Sequence, residues 1–174
     1  MRVGIDPGLS GAIVLLLENE IINHWPMPIY KYSVKAKNKK KYKNRRSIDS
    51  QKLFNILNDI KKEYKNNIEV FIEKQQYAMG VSKGRKDSPM TAFTIGVNYG
   101  KILSILDLFW KDNYTIIHPA TWKSHAGLRG KRKEAAIDYC NAYFKNPNNF
   151  KINDAIADAT LIAFFGVKDE RIGI

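Results

Sequence analysis

The segment that decides the fold is MRVGIDPGLSGAIVLLL, residues 1–17. Residues 2–6 are a short apolar run that ends at the turn signal Pro7-Gly8, and residues 11–17 are a second apolar run. Short apolar runs bounded by turn residues are typical of buried strands. A third run, NEIINHWPM, follows a tight turn at residues 18–20, so the sequence predicts a meander of three strands. Asp6 lies at the end of the first strand, where an acid needs an explanation.

The rest of the chain alternates between predicted helices and strands. Ser47 or Asp49 is expected to cap a helix that continues to about residue 64, and further helices are predicted over 91–109, 131–144 and 154–166. Strands are predicted over 68–73 and 114–117, parallel to the first strand because helices separate them. The predicted order is βββ-α-β-α-β-α-α. We therefore expect a single α/β domain over residues 1–174, with a mixed five-stranded sheet flanked by helices.

The charge points to a polyanionic partner. The chain has 29 Lys and Arg residues and 17 acids, a net charge of +12. Residues 31–46, KYSVKAKNKKKYKNRR, contain nine basic residues and no acid, which leaves about +3 elsewhere. We expect an inserted long loop here, either a solvated loop that aids solubility or a phosphate-binding arm whose Tyr30, Tyr32 and Tyr42 stack on bases or sugars. The candidate DNA contacts are Lys39, Lys40, Lys41, Lys43, Arg45 and Arg46.

Other features argue against other classes of protein. No apolar stretch approaches the ~18 residues of a membrane span, so no membrane partner is expected. The single cysteine, Cys140, excludes an intramolecular disulfide and a Cys-rich zinc site, and its spacing in a predicted helix places it in the core. We expect a cytoplasmic protein.

Acids occur in the most apolar segments of the chain. Glu73 ends the strand IEVFIE, and Asp154 and Asp158 lie one helical turn apart in DAIADATLIAFFG. On a helical wheel these two share an arc of about 140° with apolar residues, where like charges repel and lose hydration. Asp6 and Glu73 would lie at the carboxyl ends of adjacent parallel strands, where α/β folds form their clefts.

Each acid has a structural explanation as well as a functional one. Asp6 suits a turn, Glu73 can reach solvent at a strand end, and Asp154 is favoured at a helix start. The helix start does not explain Asp158, which lies a full turn further on. A divalent cation would make close carboxylates favourable, and oxygen donors without a His or Cys cluster match Mg²⁺ or Mn²⁺ better than zinc. We therefore predict a site for divalent cations formed by Asp6, Glu73, Asp154 and Asp158.

Three motifs resemble a known family. GIDPGLSG, VFIEKQQ and INDAIADATLIA, in this order and at these separations, resemble the RuvC family of Holliday junction resolvases in the RNase H-like superfamily. HPATWKSHAGLRGKRKEAAIDYC also looks like the family's segment before its last helices. The resemblance covers most of the chain except the lysine-rich insertion. The size, lysine content and low-GC residue usage look like a bacteriophage member from a Gram-positive host.

The resemblance implies a role for several residues. Asp6 matches the first-strand metal ligand, Glu73 the central-strand ligand, and Asp158 the second aspartate of the last helix. Asp154 lies four residues before Asp158 where family members usually have three, and both spacings put the acids on one helical face. The lysines that family members use near the scissile phosphate are matched by Lys123 and Lys133, the latter counted among the catalytic residues. The aromatic that family members place near the exchange point is matched most nearly by Tyr77.

The resemblance also implies an activity. A homodimer with two Mg²⁺ or Mn²⁺ ions per site would resolve four-way DNA junctions, and other branched DNA such as forks, by paired nicks with 5′-phosphate and 3′-hydroxyl ends. It would act in the cytoplasm of the bacterial host. The helix at 91–109, with Gly96 and Gly100 on one face, is the expected dimer face. The further candidate DNA contacts are Lys83, Arg85, Lys123, Arg129, Lys131 and Arg132.

Two alternatives stay open. Another RNase H-like nuclease, acting on structured RNA, would share the strand that ends in Asp6. A branched-DNA-binding protein without catalysis would keep the fold and the basic segments but would not need its acids.

Overall fold

The structure is a computed structural model, and it describes residues 1–35, 42–65, 67–75, 88–111, 113–132 and 134–166. Strands and helices alternate through these ranges much as the sequence predicts. In chain order the elements are β1 (Arg2–Ile5), β2 (Ala12–Leu17), β3 (Glu20–Pro26), β4 (Ile29–Lys35), β5 (Tyr42–Ile48), α1 (Ser50–Tyr64), β6 (Glu69–Glu73), α2 (Pro89–Trp110), β7 (Tyr114–Ile117), α3 (Pro119–His125), α4 (Glu134–Tyr143) and α5 (Asp154–Phe165).

Five of the strands form one mixed sheet, in the order β3-β2-β1-β6-β7. The meander β1-β2-β3 is antiparallel because its turns are too short for a crossover, whereas β1 with β6 and β6 with β7 are parallel pairs. The connection from β6 to β7 contains α2, as a parallel pair requires. The predicted mixed five-stranded sheet is therefore confirmed.

Helices cover both faces of this sheet. Side chains of α1 and α2 pack with Val3, Ile5 and Ile72 in one core cluster. The other face packs beneath α3, α4 and α5, with Phe71 in its core cluster. Successive residues of a strand point to opposite faces, so each strand contributes to both clusters.

The helix starts agree with the sequence where side chains act as caps. Asp49, one of the two predicted caps of α1, accepts a hydrogen bond of 3.1 Å from the Lys52 amide. Asn153 caps α5 by accepting a bond of 3.0 Å from the Ile156 amide, which leaves Asp154 in the first turn. An acid in that position is stabilised by the helix dipole.

α5 is the most buried helix of its layer. The sequence predicts one apolar arc of about 140° on this helix, but the buried surface is wider. α5 lies between the sheet and α4 and is buried on both sides, at Ile156, Ala157 and Ala159–Ala163. Cys140 of α4 is fully buried, as predicted, with its Sγ 3.7 Å from the Ala157 carbonyl oxygen. Burial raises the pKa of this thiol to about 12.

The lysine-rich insertion contains a β-hairpin where the sequence predicts a long loop. β4 and β5 pair antiparallel from Ile29 opposite Ile48 to Lys35 opposite Tyr42, in a two-stranded sheet of their own. Tyrosine and valine alternate with polar residues in β4, and this two-residue period is the strand signal that the lysines obscure. The tip of the hairpin, residues 36–41, lies outside the described residues.

Two other expectations need correction. α3 is an additional short helix, and Pro119 starts it because a proline in the first turn loses no hydrogen bond. α2 has 22 residues and a mean hydropathy of 1.2 in its most apolar window, so by length and composition alone it is long enough to cross a membrane, contrary to our expectation. Its face toward the hairpin is polar, since Asn98 accepts hydrogen bonds of 2.9 Å from Ser47 Oγ and 2.8 Å from the Ile48 amide.

Candidate active site

Two acids end neighbouring parallel strands on the same face of the sheet. Asp6 follows the last residue of β1, and Glu73 is the last residue of β6. The paired register ends with Ile5 beside Ile72, so the two acids come one position further along each strand. Glu73 shares its face with Phe71, which lies in the core beneath α5. The side-by-side arrangement that the sequence predicts for Asp6 and Glu73 therefore follows from the register.

The third acid comes from α5, which lies very near β1. A Cβ atom on Gly4 would collide with the Ala159 carbonyl oxygen and would lie 2.8 Å from the Ala163 amide nitrogen. Since the facing helix residues are alanines, the helix backbone rests directly on the strand backbone. Asp158 immediately precedes Ala159, so this contact fixes the approach of Asp158 to the strand-end acids.

The charges of these acids act on one another. Burial raises the pKa of Asp6. The Gly8 amide, which donates a hydrogen bond of 3.2 Å to Oδ1, and the positive charge of Lys123 both lower this pKa, but they offset the rise only in part. Burial also raises the pKa of Glu73, and the negative charges of Asp6 and Asp158 add to the rise. Asp6, Glu73 and Asp158 therefore form one cluster of interacting negative charges.

Glu73 has a partner that the sequence analysis missed. The buried side chain of Trp122 donates from Nε1 to Oε1 of Glu73 at 2.9 Å, which lowers the pKa of Glu73 and opposes the effect of burial. The same indole ring lies under Lys123, whose Nζ is 5.0 Å from the ring centroid. Trp122 therefore contacts both an acid and a base of the site.

Asp154 and Asp158 both line a cleft of about 240 Å³ beside Trp122. The cleft is rimmed by the positive side chains of Lys123, Lys131 and Arg132. Asp154 is exposed, whereas Asp158 is half-buried. The cleft therefore brings two of the predicted acids together with three of the predicted DNA contacts.

The donor set suits a hard divalent cation. Carboxylate oxygens are the ligands that Mg²⁺ and Mn²⁺ prefer, and the mutual repulsion among Asp6, Glu73 and Asp158 is what a cation would relieve. Asp6 accepts the hydrogen bond from Gly8 through Oδ1, and Glu73 accepts the bond from Trp122 through Oε1. The second carboxylate oxygen of each acid takes no part in these bonds. Within the described ranges, no three acidic, His or Cys side chains are placed closely enough to hold one ion as they stand. Ligation by all of these acids would therefore require their side chains to turn inward.

The remaining predicted residues divide into two groups. Lys43, Arg45 and Arg46 are exposed on β5, and Arg129 is exposed in the turn after α3. The others lie outside the described residues: Lys39, Lys40, Lys41, Tyr77, Lys83, Arg85 and Lys133.

Two residues that shape the site were missed for different reasons. Gly4 carried a signal, because a glycine inside a buried strand often marks a close backbone approach. Trp122 carried none, since it lies 49 positions from Glu73 in the chain and its bond depends on the packing of α3.

Comparison with known proteins supports the fold. No protein-family model and no curated protein matches the sequence. The structure is similar to that of T. thermophilus RuvC in complex with Holliday junction substrate, with a TM-score of 0.55 and 11% identity over 94% of this chain and 90% of that chain. Another structure of Thermus thermophilus RuvC gives a TM-score of 0.53 and 13% identity over 94% and 91%. The chain therefore has the α/β fold of RuvC, which is RNase H-like.

Proposed function

We propose that this chain is a metal-dependent, structure-selective DNA endonuclease that resolves four-way junctions and cuts other branched DNA such as forks. The observation that carries the proposal is the cluster of Asp6, Glu73 and Asp158 beside a cleft rimmed by Lys and Arg side chains. A cluster of acids beside a basic cleft suits hydrolysis of a phosphodiester. The Lys and Arg side chains would bind the DNA backbone, and the acids would bind the metal ions. The RuvC-like fold is in keeping with this activity.

The acids would hold two Mg²⁺ or Mn²⁺ ions: Asp6, Glu73 and Asp158 from the cluster, with Asp154 at the outer side. When bound, such ions supply an acidified water and stabilise charge on the phosphate and the leaving 3′-oxygen. The products would carry 5′-phosphate and 3′-hydroxyl ends.

The other residues of the site would bind and orient. Trp122 favours the ionised form of Glu73 and fixes the direction of its carboxylate through a 2.9 Å hydrogen bond. Lys123 brings a positive charge to the acids and, with Lys131 and Arg132, lines the cleft that would receive the phosphate backbone. Lys133 belongs to the same segment and would act on the scissile phosphate.

The proposal includes a homodimer whose contact face is α2. Phe93, Val97 and Leu108 are 69%, 42% and 71% exposed, and they share one face of the helix with Gly100. An apolar stripe of this kind on a surface helix suits a second copy of the chain. A two-fold dimer presents two clefts to strands of like polarity, which accounts for paired nicks.

The net charge of +12 supports a DNA partner and predicts strong salt dependence. We expect junction affinity to fall steeply as salt rises from about 50 to 200 mM. Affinity that stays flat over this range would argue against an electrostatic interface. We place the protein in the cytoplasm of a bacterial host, as a bacteriophage enzyme.

The test is cleavage of a labelled four-way DNA junction in Mg²⁺ by the wild type, by Asp6→Asn and by Asp138→Asn. Asp138 is an exposed acid on α4 and serves as the matched control. We expect paired nicks from the wild type and the control, none from Asp6→Asn, and none from any protein in EDTA. Cleavage that survives Asp6→Asn would contradict the metal site, and cleavage of structured RNA but not of the junction would indicate an RNA nuclease.

A further inference from the structure

The hairpin of β4 and β5 has two chemically different faces. Residues directly opposite each other in an antiparallel pair project to the same side. The register therefore divides the hairpin into a tyrosine face and an opposite face. The tyrosine face carries Tyr30, Tyr32, Val34, Lys43 and Arg45, with Ser47 at its base. The opposite face carries Lys31, Ser33, Lys35, Tyr42, Asn44 and Arg46, with Ile29 and Ile48 at its base.

The tyrosine face carries two exposed, adjacent aromatic rings. Tyr30 and Tyr32 are 44% and 42% exposed, and their ring centroids lie 5.6 Å apart. Arg45 is the cross-strand neighbour of Tyr32, and Lys43 is the cross-strand neighbour of Val34. The rings therefore stand in a positively charged surrounding.

Tyr30 is anchored to the body of the protein. The Lys101 ammonium of α2 lies 5.4 Å from the Tyr30 ring centroid and donates a hydrogen bond of 2.8 Å to Ser47 Oγ at the base of the hairpin. Because Ser47 is itself buried and bonded to Asn98, the base of the hairpin is fixed to α2. A stacking partner would therefore meet a Tyr30 ring whose position is largely set before binding.

The chemistry of this face selects its partner. Described residues of the hairpin include no acid, so the face suits a polyanion. Exposed aromatic rings bind bases through their flat surfaces, and a duplex hides those surfaces inside its stack. Only bases that are unpaired or unstacked offer them.

We infer that Tyr30 and Tyr32 stack on unpaired bases at the branch point of the DNA, while the opposite face contacts phosphates. This inference rests on the proposed function, because it assigns the hairpin to the same branched substrate. Of the three tyrosines of the insertion, it assigns stacking to Tyr30 and Tyr32 but not to Tyr42. Tyr42 is 69% exposed but lies on the opposite face. The hairpin would thereby help to distinguish a branch point from a plain duplex.

The experiment measures binding in EDTA, so that no DNA is cut. The probes are a four-way junction with 2-aminopurine at its exchange point, a duplex with 2-aminopurine at a matched position, and a single strand of the same sequence. The proteins are the wild type, Tyr30→Leu/Tyr32→Leu, Tyr30→Phe/Tyr32→Phe and, as the control, Tyr143→Leu. Tyr143 is a 50% exposed tyrosine of α4, outside the hairpin. Leucine keeps the apolar bulk of the hairpin and removes the stacking surface, whereas phenylalanine keeps the ring.

We expect the Leu pair to weaken junction and single-strand binding about 5- to 30-fold and to abolish the change in 2-aminopurine fluorescence. The Phe pair, the Tyr143 variant and all duplex affinities should stay within about twofold of the wild type. Wild-type affinity in the Leu pair would overturn the inference, as would an equal loss on duplex or a wild type that binds the junction without changing its fluorescence. A wild type that does not prefer the junction to the duplex would instead contradict the proposed function, and the single-strand probe would still test the stacking.

Discussion

The indole Nε1 of Trp122 and Oε1 of Glu73 are joined by a hydrogen bond of 2.9 Å between α3 and the end of β6. A buried carboxylate without such a donor would favour its protonated form, in which it binds metal poorly. The bond therefore supports the ionised state of an acid whose pKa burial raises.

We expect Trp122→Phe to impair activity most at low pH. Loss of the N–H donor raises the pKa of Glu73 further, so the acidic limb of the pH–rate profile should move to higher pH. A hydrogen bond to a charged group contributes roughly 1.5–3 kcal/mol, so kcat/KM should fall about tenfold or more at pH 6 and less at pH 8. The Mg²⁺ concentration for half-maximal rate should rise in parallel.

Trp110→Phe is the matched control for this prediction. Trp110 is also buried and also lies under a lysine, with Lys61 Nζ 5.3 Å from its ring centroid, but its Nε1 has no hydrogen-bond partner within the described residues. Its replacement should leave the pH profile unchanged. Equal shifts in the two variants would show that Trp122 acts through packing alone.

We expect Asp6→Asn and Glu73→Gln to stabilise the metal-free protein at neutral pH. Folding raises both pKa values, so each acid stabilises the folded state only at pH values below its unfolded pKa, near 4, and that contribution is lost as pH rises through the raised value. At pH 7 in EDTA the neutral variants should melt higher, by about 2–4 °C for each kcal/mol of relieved repulsion and desolvation.

The pH and metal dependence of that gain provide its check. The difference in melting temperature should shrink as the pH is lowered toward about 4. Added Mg²⁺ should raise the melting temperature of the wild type more than that of either variant. Variants that melt below the wild type at pH 7 in EDTA would contradict the prediction.

We expect Gly4→Ala to destabilise the fold. The added Cβ has no room against Ala159 and Ala163, so α5 must move away from β1. Overpacking of this kind typically costs about 1–3 kcal/mol in the free energy of unfolding, measured by urea titration. Gly96→Ala on α2 is the control: its Cβ would meet nothing within 4 Å, and helix propensity should make it about 0.5–1 kcal/mol more stable. A loss in both variants would mean that the close approach is not the cause.

We expect Phe93→Glu to dissociate the proposed dimer. The charge would fall within the exposed apolar stripe of α2, and light scattering after gel filtration should change from the mass of two chains to that of one. Leu17→Glu, on β2 and 44% exposed, should leave the mass unchanged. On junction DNA the Phe93 variant should produce single nicks in place of paired ones. Identical masses for both variants and the wild type would exclude α2 as the contact face.

The sheet was predictable because its signals are local. Apolar runs between turn residues indicated β1 and β2, and the rule that strands separated by helices pair in parallel placed β6 and β7 correctly. The hairpin was missed because its strands carry lysines and arginines that read as a solvated loop, and its pairing becomes visible only across the two strands.

In the candidate site, the adjacency of Asp6 and Glu73 was predictable, whereas the approach of Asp158 to them was not. Asp6 and Glu73 stand at strand ends, where periodicity and topology fix their side of the sheet. The closeness of Asp158 depends on a helix-to-strand contact between residues that are 155 positions apart, Gly4 and Ala159, and no local pattern encodes such a distance. The bond from Trp122 to Glu73 depends on tertiary packing in the same way.

Gly4 contacts neither DNA nor metal in the proposed mechanism, yet its missing side chain determines the spacing of the acids. The spacing between β1 and α5 thus depends on a residue that a comparison limited to catalytic residues would not include. A redesigned chain that kept every acid but filled this position would retain all the parts of the site at the wrong separation. A transfer of this site to another scaffold would therefore have to include a glycine at this position of the strand as well as the carboxylates.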